Sequence, residues 1–172
     1  MPSNPDEPFD VVNQRDEVIM QLPRHEVHRR RLFHRAVHIL VFNGDGDIYM
    51  QRRSPHKDTY PNRWTTSCSG HVDAGETYDI AAVRELGEEL GIRIDSADTL
   101  DDSFTHSPCR ATGYEFIHVY RLVWNGEIVF DPEEISEGRW FDPQELAADM
   151  QAHHDDYAPS FHLVWELFQA TK

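Results

Sequence analysis

Glu85, Glu88 and Glu89 stand at i, i+3 and i+4 within "RELGEELGI", residues 84–92. On a helix these positions share one face, and the like-charged Glu85–Glu89 pair costs about 0.2–0.5 kcal/mol even in water. Val83, Leu86 and Leu90 bring that face to the core edge, where carboxylates without a compensating cation are far more expensive. Carboxylate oxygens are hard ligands, so such a cluster suits Mg2+ or Mn2+ better than zinc. A solvated acidic helix face is the plainer reading of three glutamates alone. The glycines argue against it. Gly87 inside the helix costs ~1 kcal/mol relative to alanine, which suggests close approach of another backbone. Gly70 and Gly75 permit a tight loop that returns Glu76 to the start of the helix. Arg84 is spaced to orient Glu88 at i+4.

The elements that must position these groups follow from pattern. Ile80, Val83, Leu86 and Leu90 define the apolar face of a helix from Thr77, its N-cap, to Leu90, with Gly91 as the stop. "FHRAVHILVFN" and "IYMQRRS" read as strands joined by the turn "GDGD", and "YEFIHVYRLVW" as a long strand ended by "NGE". "VVNQRDEVIMQL" reads as a hairpin turning near Gln14 to Asp16, and "RHEVHRRRL" as a helical turn. Helices open at Pro143 and at Pro159. Residues 1–8, with Pro2, Pro5 and Pro8, read as a disordered lead-in, and 9–172 as one domain. The order is α/β in the α+β sense, with a mixed sheet and no linker.

Sixteen basic against 31 acidic residues give a net charge of -15, which opposes docking on duplex nucleic acid or an anionic membrane. A small phosphorylated ligand remains compatible where metal or local Arg and Lys neutralise it. No apolar run approaches the ~20 residues of a membrane span, and the first residues show no signal peptide. A cytoplasmic monomer or small homo-oligomer is expected. Cys68 and Cys109 read as free thiols in small core positions, and "HHDD" at 153–156 as solvated surface.

Gly70, then five residues, Glu76, then seven, then Arg84-Glu85-Leu86-Gly87-Glu88-Glu89-Leu90-Gly91-Ile92 resembles the Nudix box, G-x5-E-x7-R-E-U-x-E-E-x-G-U. The resemblance implies an α/β/α sandwich around a mixed sheet, with the box as loop-helix-loop. It implies Mg2+-dependent hydrolysis, with Mn2+ as substitute, of nucleoside 5'-di- or triphosphates or of a nucleoside diphosphate linked to another moiety. By position, Glu85, Glu88 and Glu89 are then the metal ligands and Arg84 the orienting partner. Glu76 is an auxiliary ligand or helix stabiliser, and the Gly70 carbonyl a further ligand.

The stretch from "RHEVHRRRL" to "TTSCSGH" is also similar to the N-terminal half of isopentenyl-diphosphate isomerases, which share the Nudix fold. That likeness implies a diphosphate site at Arg52, Arg53 and Lys57. It matches Glu115 to the isomerase strand glutamate and His71 to a metal-binding histidine, with His34 similarly placed. Two departures oppose isomerisation. Ser69 stands where the isomerases carry a proton-donating cysteine, and Val72 where they carry proline. A hydroxyl is a far poorer acid than a thiol, and Cys68, one residue away on a strand, faces the other side. The expectation is an isomerase-like Nudix hydrolase. An isomerase and a non-catalytic nucleotide-binding module are the alternatives. Glu89, Glu115, Glu133, Glu134 and Glu137 are candidate general bases, with Glu89 first. Tyr60, Trp64, Phe104, Tyr114 and Phe116 are candidates to stack a base.

Overall fold

The computed structural model describes residues 4–171, so the first three residues of the expected lead-in lie outside it. Strands β1 (Pro8–Val12) and β2 (Val18–Pro23) form a hairpin, with Asp16 left-handed in the turn. Pro8 is thus already strand. Helix α1 (Arg24–Arg30) follows directly.

β3 (His34–Phe42) is the spine. It pairs in parallel with β8 (Glu115–Val123) along its whole length, while every other pairing in the sheet is antiparallel. On its other side β4 (Ile48–Arg53) meets it only at Phe42↔Ile48, and β6 (Cys68–His71) takes over from Ala36 to Ile39. The two partners diverge, leaving a wedge. Ser67 and Gln51 fill it: Ser67 Oγ accepts from Val41 N (2.8 Å), and the Gln51 amide donates to Ser67 O (3.3 Å). Short β5 (Trp64–Thr65), edge strand β7 (Asp101–His106) and β9 (Ile135–Phe141) complete seven strands. Nothing in "DDSFTH" predicts β7, because an exposed edge tolerates charge in place of apolar alternation.

Alternation along β3 divides the core. Val37, Ile39 and Val41 pack toward α2 (Tyr78–Leu90). Ala36, Leu40 and Phe42 pack toward α3 (Pro143–Ala152) and α4 (Pro159–Ala170). Helices cover both faces of a mixed sheet, the expected α/β/α sandwich. No helix among the described residues is long and apolar enough to cross a membrane. Residues 154–156 form an exposed 3-10 turn, as expected of "HHDD".

Candidate active site

The box helix begins where the sequence places it. Thr77 Oγ1 accepts from Ile80 N (3.3 Å), and Gly91 closes the helix with φ 65°, a conformation cheap only for glycine. Its buried face differs from the expected stripe. Ile80 is 55% exposed and Val83 half-buried, while Ala81, Ala82, Glu85, Leu86, Glu89 and Leu90 face inward. The helix is rotated so that two carboxylates, rather than two more aliphatics, point at the sheet. The close backbone approach is also elsewhere. Gly87 is exposed, with only Ile92 O near its side-chain position, at 3.9 Å. At Gly70 on β6, a Cβ would fall 1.9 Å from Glu85 Oε1. Glycine there lets the Glu85 carboxylate lie against the strand.

Each carboxylate has a defined holder. Glu89 Oε2 accepts from Gln51 Nε2 (2.7 Å) and Ser69 N (3.1 Å). Glu85 Oε1 accepts from Arg84 Nη1 (2.8 Å). Arg84 reaches Glu88 at 3.3 Å, but its main partner is Glu76, which accepts from Nε and Nη2 at 3.0 and 2.9 Å. The left-handed Gly75 (φ 83°) turns the loop so that Glu76 also accepts from Asp73 N. Arg84 donates further to His71 O (2.9 Å), tying helix, loop and strand together. Burial, then the Glu89 charge, push the Glu85 carboxyl up to about 8, and burial likewise raises Glu89. Two inward carboxylates so destabilised as anions, beside the exposed Glu88, match a hard divalent cation in charge and donor type.

Across the cleft, which is about 850 Å³, alternation along β4 separates the expected basic pair. Arg53 lines the cleft, with its guanidinium tethered to Thr59 O (2.8 Å). Arg52 points the other way, to Asn62 O (2.9 Å) and Glu137 (3.7 Å), and lies outside the cleft. Lys57 and Glu134 line the cleft as an ion pair, and Asp131 lies beside them. Glu133 is exposed outside it, as is Glu137.

A second cluster lines the same cleft. One ligand atom each of His28, His34, His71 and Glu115 lies within 4.8 Å of the others. Glu115 Oε1 is 3.0 Å from His71 Nε2 and 3.4 Å from His34 Nε2. The latter nitrogen is buried without a well-formed hydrogen bond, and His34 Nδ1 is held by Leu32 O (2.9 Å). The Phe9 ring covers the cluster, 4.7 Å from that of His71. Burial pushes His28 down to about 4 and lowers His71. Burial works against Glu115 ionising, but the close imidazoles of His34 and His71, the latter within hydrogen-bond distance, hold it well below the usual carboxylate range. Imidazoles converging on a carboxylate form a set of borderline donors suited to a transition metal. His28 was missed from sequence, since only the fold brings the end of α1 against β3 and β6.

Ser69 lines the cleft, whereas Cys68 is fully buried against α2, its thiol pushed well up by burial. Tyr60 and Tyr114 line the cleft as well. Trp64 and Phe104 instead belong to the core under α3 and α4, and Phe116 packs edge-on to Phe33.

A mixed-sheet α/β/α sandwich with a loop-helix-loop carboxylate cluster defines a Nudix architecture. The chain belongs to the NUDIX domain family, whose signature spans residues 32–161. It is 37% identical over 147 residues to a Nudix hydrolase of Deinococcus radiodurans, covering 86% of this chain and 85% of that one. It is 31% identical over 163 residues to isopentenyl-diphosphate Delta-isomerase 2 of Photorhabdus laumondii, covering 93% and 88%. Among solved structures, DR0079 of Deinococcus radiodurans superposes with a TM-score of 0.78 at 33% identity, covering 96% of this chain and 99% of that one. The isomerase likeness noted from residues 24–71 is therefore carried by a relative matching nearly the full length.

Proposed function

We propose that this protein is a divalent-metal-dependent hydrolase of the phosphoanhydride bond in nucleoside 5'-di- or triphosphates or nucleoside diphosphate conjugates. The observation that carries the reading is the intact set Glu85, Glu88 and Glu89 facing Arg53 and Lys57 across one cleft. Glu85, Glu88 and Glu89, with the Gly70 carbonyl, would hold Mg2+ or Mn2+. Glu76 serves instead as the anchor of Arg84. Bound there, the ion supplies charge neutralisation of the diphosphate and acidification of water.

The chain's own groups do the rest. Arg53 and Lys57 bind non-bridging oxygens of the diphosphate, and Glu134 orients the Lys57 ammonium until substrate takes its place. Arg84 fixes the Glu85 carboxylate, while Gln51 and Ser69 N fix that of Glu89. Glu89, whose proton affinity is raised by burial, accepts the proton of the attacking water, and Glu134 and Glu115 are the other candidate bases that line the cleft. Tyr60 and Tyr114 are the aromatic rings open to the organic end of the substrate.

The His28, His34, His71 and Glu115 cluster favours a second reading, the isomerase of the similar branch, in which these residues hold a metal beside an isoprenoid diphosphate. Ser69 opposes it, because the thiol acid is absent. One experiment separates the readings: phosphate and pyrophosphate release with Mg2+ across nucleoside di- and triphosphates, sugar nucleotides and isopentenyl diphosphate, alongside Glu89→Gln. Release abolished in the variant supports the hydrolase. Conversion of isopentenyl diphosphate to its allylic isomer without phosphate release would establish the isomerase. Tight nucleotide binding with neither reaction would mean a binding module.

A further inference from the structure

Past the histidine cluster the cleft has a rim that the hydrolytic machinery leaves unused. Six basic side chains line the cleft: Arg24, Arg31, Arg53, Lys57, Arg84 and Arg110. Three are neutralised internally, Arg24 by Asp58, Lys57 by Glu134 and Arg84 by Glu76. Arg53 serves the diphosphate. Arg31 and Arg110 remain, and neither is paired with a carboxylate among the described residues.

Their placement is built by the backbone. Arg31 follows α1 in a left-handed conformation (φ 53°), fixed by its N–H to His28 O and Val27 O. Its guanidinium lies 5.9 Å from the ring centre of Tyr114. Tyr114 is also left-handed (φ 69°), at the end of a turn closed by Tyr114 N to Cys109 O (2.9 Å) and Gly113 N to Arg110 O (3.2 Å). Thr112 Oγ1 braces that turn by accepting from Cys109 N (3.1 Å). A left-handed backbone costs a non-glycine residue roughly 1–2 kcal/mol, and such strain concentrates at ligand sites. Here two strained residues meet in one cation–π contact at the wall of a cleft.

We propose that Arg31, Arg110 and Tyr114 form a second anion subsite, which receives a phosphate or carboxylate on the moiety joined to the diphosphate. This deepens the hydrolase reading and rests on it. An anion fits better than a nucleobase, because Arg31 already occupies one face of the Tyr114 ring, and a guanidinium set over an aromatic face keeps its in-plane N–H donors for an acceptor. The cleft lining carries eight carboxylates beside its six Arg and Lys side chains, so Arg31 and Arg110, which have no carboxylate partner among the described residues, are the cations left for a further negative group on the ligand.

The test compares probes matched except for one distal charge: UDP-glucose with UDP-glucuronate, and NAD+ with NADP+, each with Mg2+. The readout is kcat/KM or, for a compound not turned over, its inhibition constant against ADP hydrolysis. A charge-assisted pair predicts that the more anionic member of at least one pair is favoured by about 10-fold or more. In the double variant Arg31→Asn, Arg110→Gln, that preference should fall to within about twofold of unity while values for UDP-glucose and NAD+ hold; asparagine tolerates the left-handed backbone at position 31. Equal treatment of both members of both pairs by the wild type overturns the subsite. So does a preference that survives the double variant, or a parallel loss for neutral and charged probes. If no nucleotide is hydrolysed at all, the hydrolase reading fails separately. Calorimetric binding of the same pairs, undisturbed by turnover, then decides the subsite by the same ratios.

Discussion

Gln51 donates its side-chain amide to Glu89 Oε2 at 2.7 Å, from a buried position in the wedge where β4 and β6, both partners of β3, part from each other. The same oxygen accepts from Ser69 N at 3.1 Å. A buried carboxylate held by two donors from different strands has its orientation set before any ligand arrives.

Gln51→Leu should therefore damage the site while sparing the fold. A hydrogen bond to a charged group contributes about 1.5–3 kcal/mol, so kcat/KM should fall ~10- to 100-fold. Mg2+ dependence should shift to higher concentration, whereas thermal unfolding should move by only a few degrees. Unchanged Mg2+ titration alongside unchanged turnover would show that Glu89 does not need this support.

Gly70 and Gly87 predict opposite outcomes for one substitution. Gly70→Ala drives a methyl onto the Glu85 carboxylate, which must then leave its place beside the strand and its hydrogen bond from Arg84. Activity should drop by at least ~10²-fold, since misplacing a reactive group by an ångström costs about that much. Gly87→Ala meets open surroundings on an exposed helix position and should raise stability by up to ~1 kcal/mol in denaturant unfolding, with turnover intact. A destabilised Gly87→Ala would restore the close approach that the sequence suggested there.

The contrast marks how far the sequence could be read. Both ends of the box helix were legible because capping is local: Thr77 and Gly91 act on their own neighbours. The rotation of that helix was not. Ile80 reads as core by periodicity, yet a buried glutamate pair takes the inward face, and only Gly70, fourteen residues before Arg84, makes room for it. The strand glutamate Glu115 and His71 were flagged by resemblance, but their convergence with His34 and His28 depends on β3 pairing with both β6 and β8. The ion pair between Lys57 and Glu134, 77 residues apart, is equally invisible to any local rule.

Arg52 and Arg53, adjacent in sequence, should separate in function. Strand alternation sends Arg53 into the cleft and Arg52 to Glu137 on the other side. Arg53→Ala should raise KM for a nucleoside diphosphate by ~10-fold or more. Arg52→Ala should stay within about twofold, since exposed ion pairs contribute little. Comparable KM increases in both variants would contradict the β4 geometry.

The pH dependence of stability supplies a test independent of any substrate. Glu85 has its folded pKa raised to about 8 from a model-peptide value of 4.5. The folded state therefore holds a proton that the unfolded state has released, and by linkage the metal-free protein loses stability as pH rises through that window. His28, depressed from 6.5 to about 4, acts oppositely: its contribution grows with pH between those values and is complete above 6.5. From about pH 6.5 to 8 the Glu85 effect stands alone of the two. Thermal unfolding in chelator should fall across that interval, and saturating Mg2+ should flatten the slope by stabilising the ionised carboxylate. Glu85→Gln should flatten it without metal. Burial raises the Glu89 carboxyl as well, so a slope that persists in both Glu85→Gln and Glu89→Gln would place the titrating group elsewhere and remove the physical basis for a cation at the box helix.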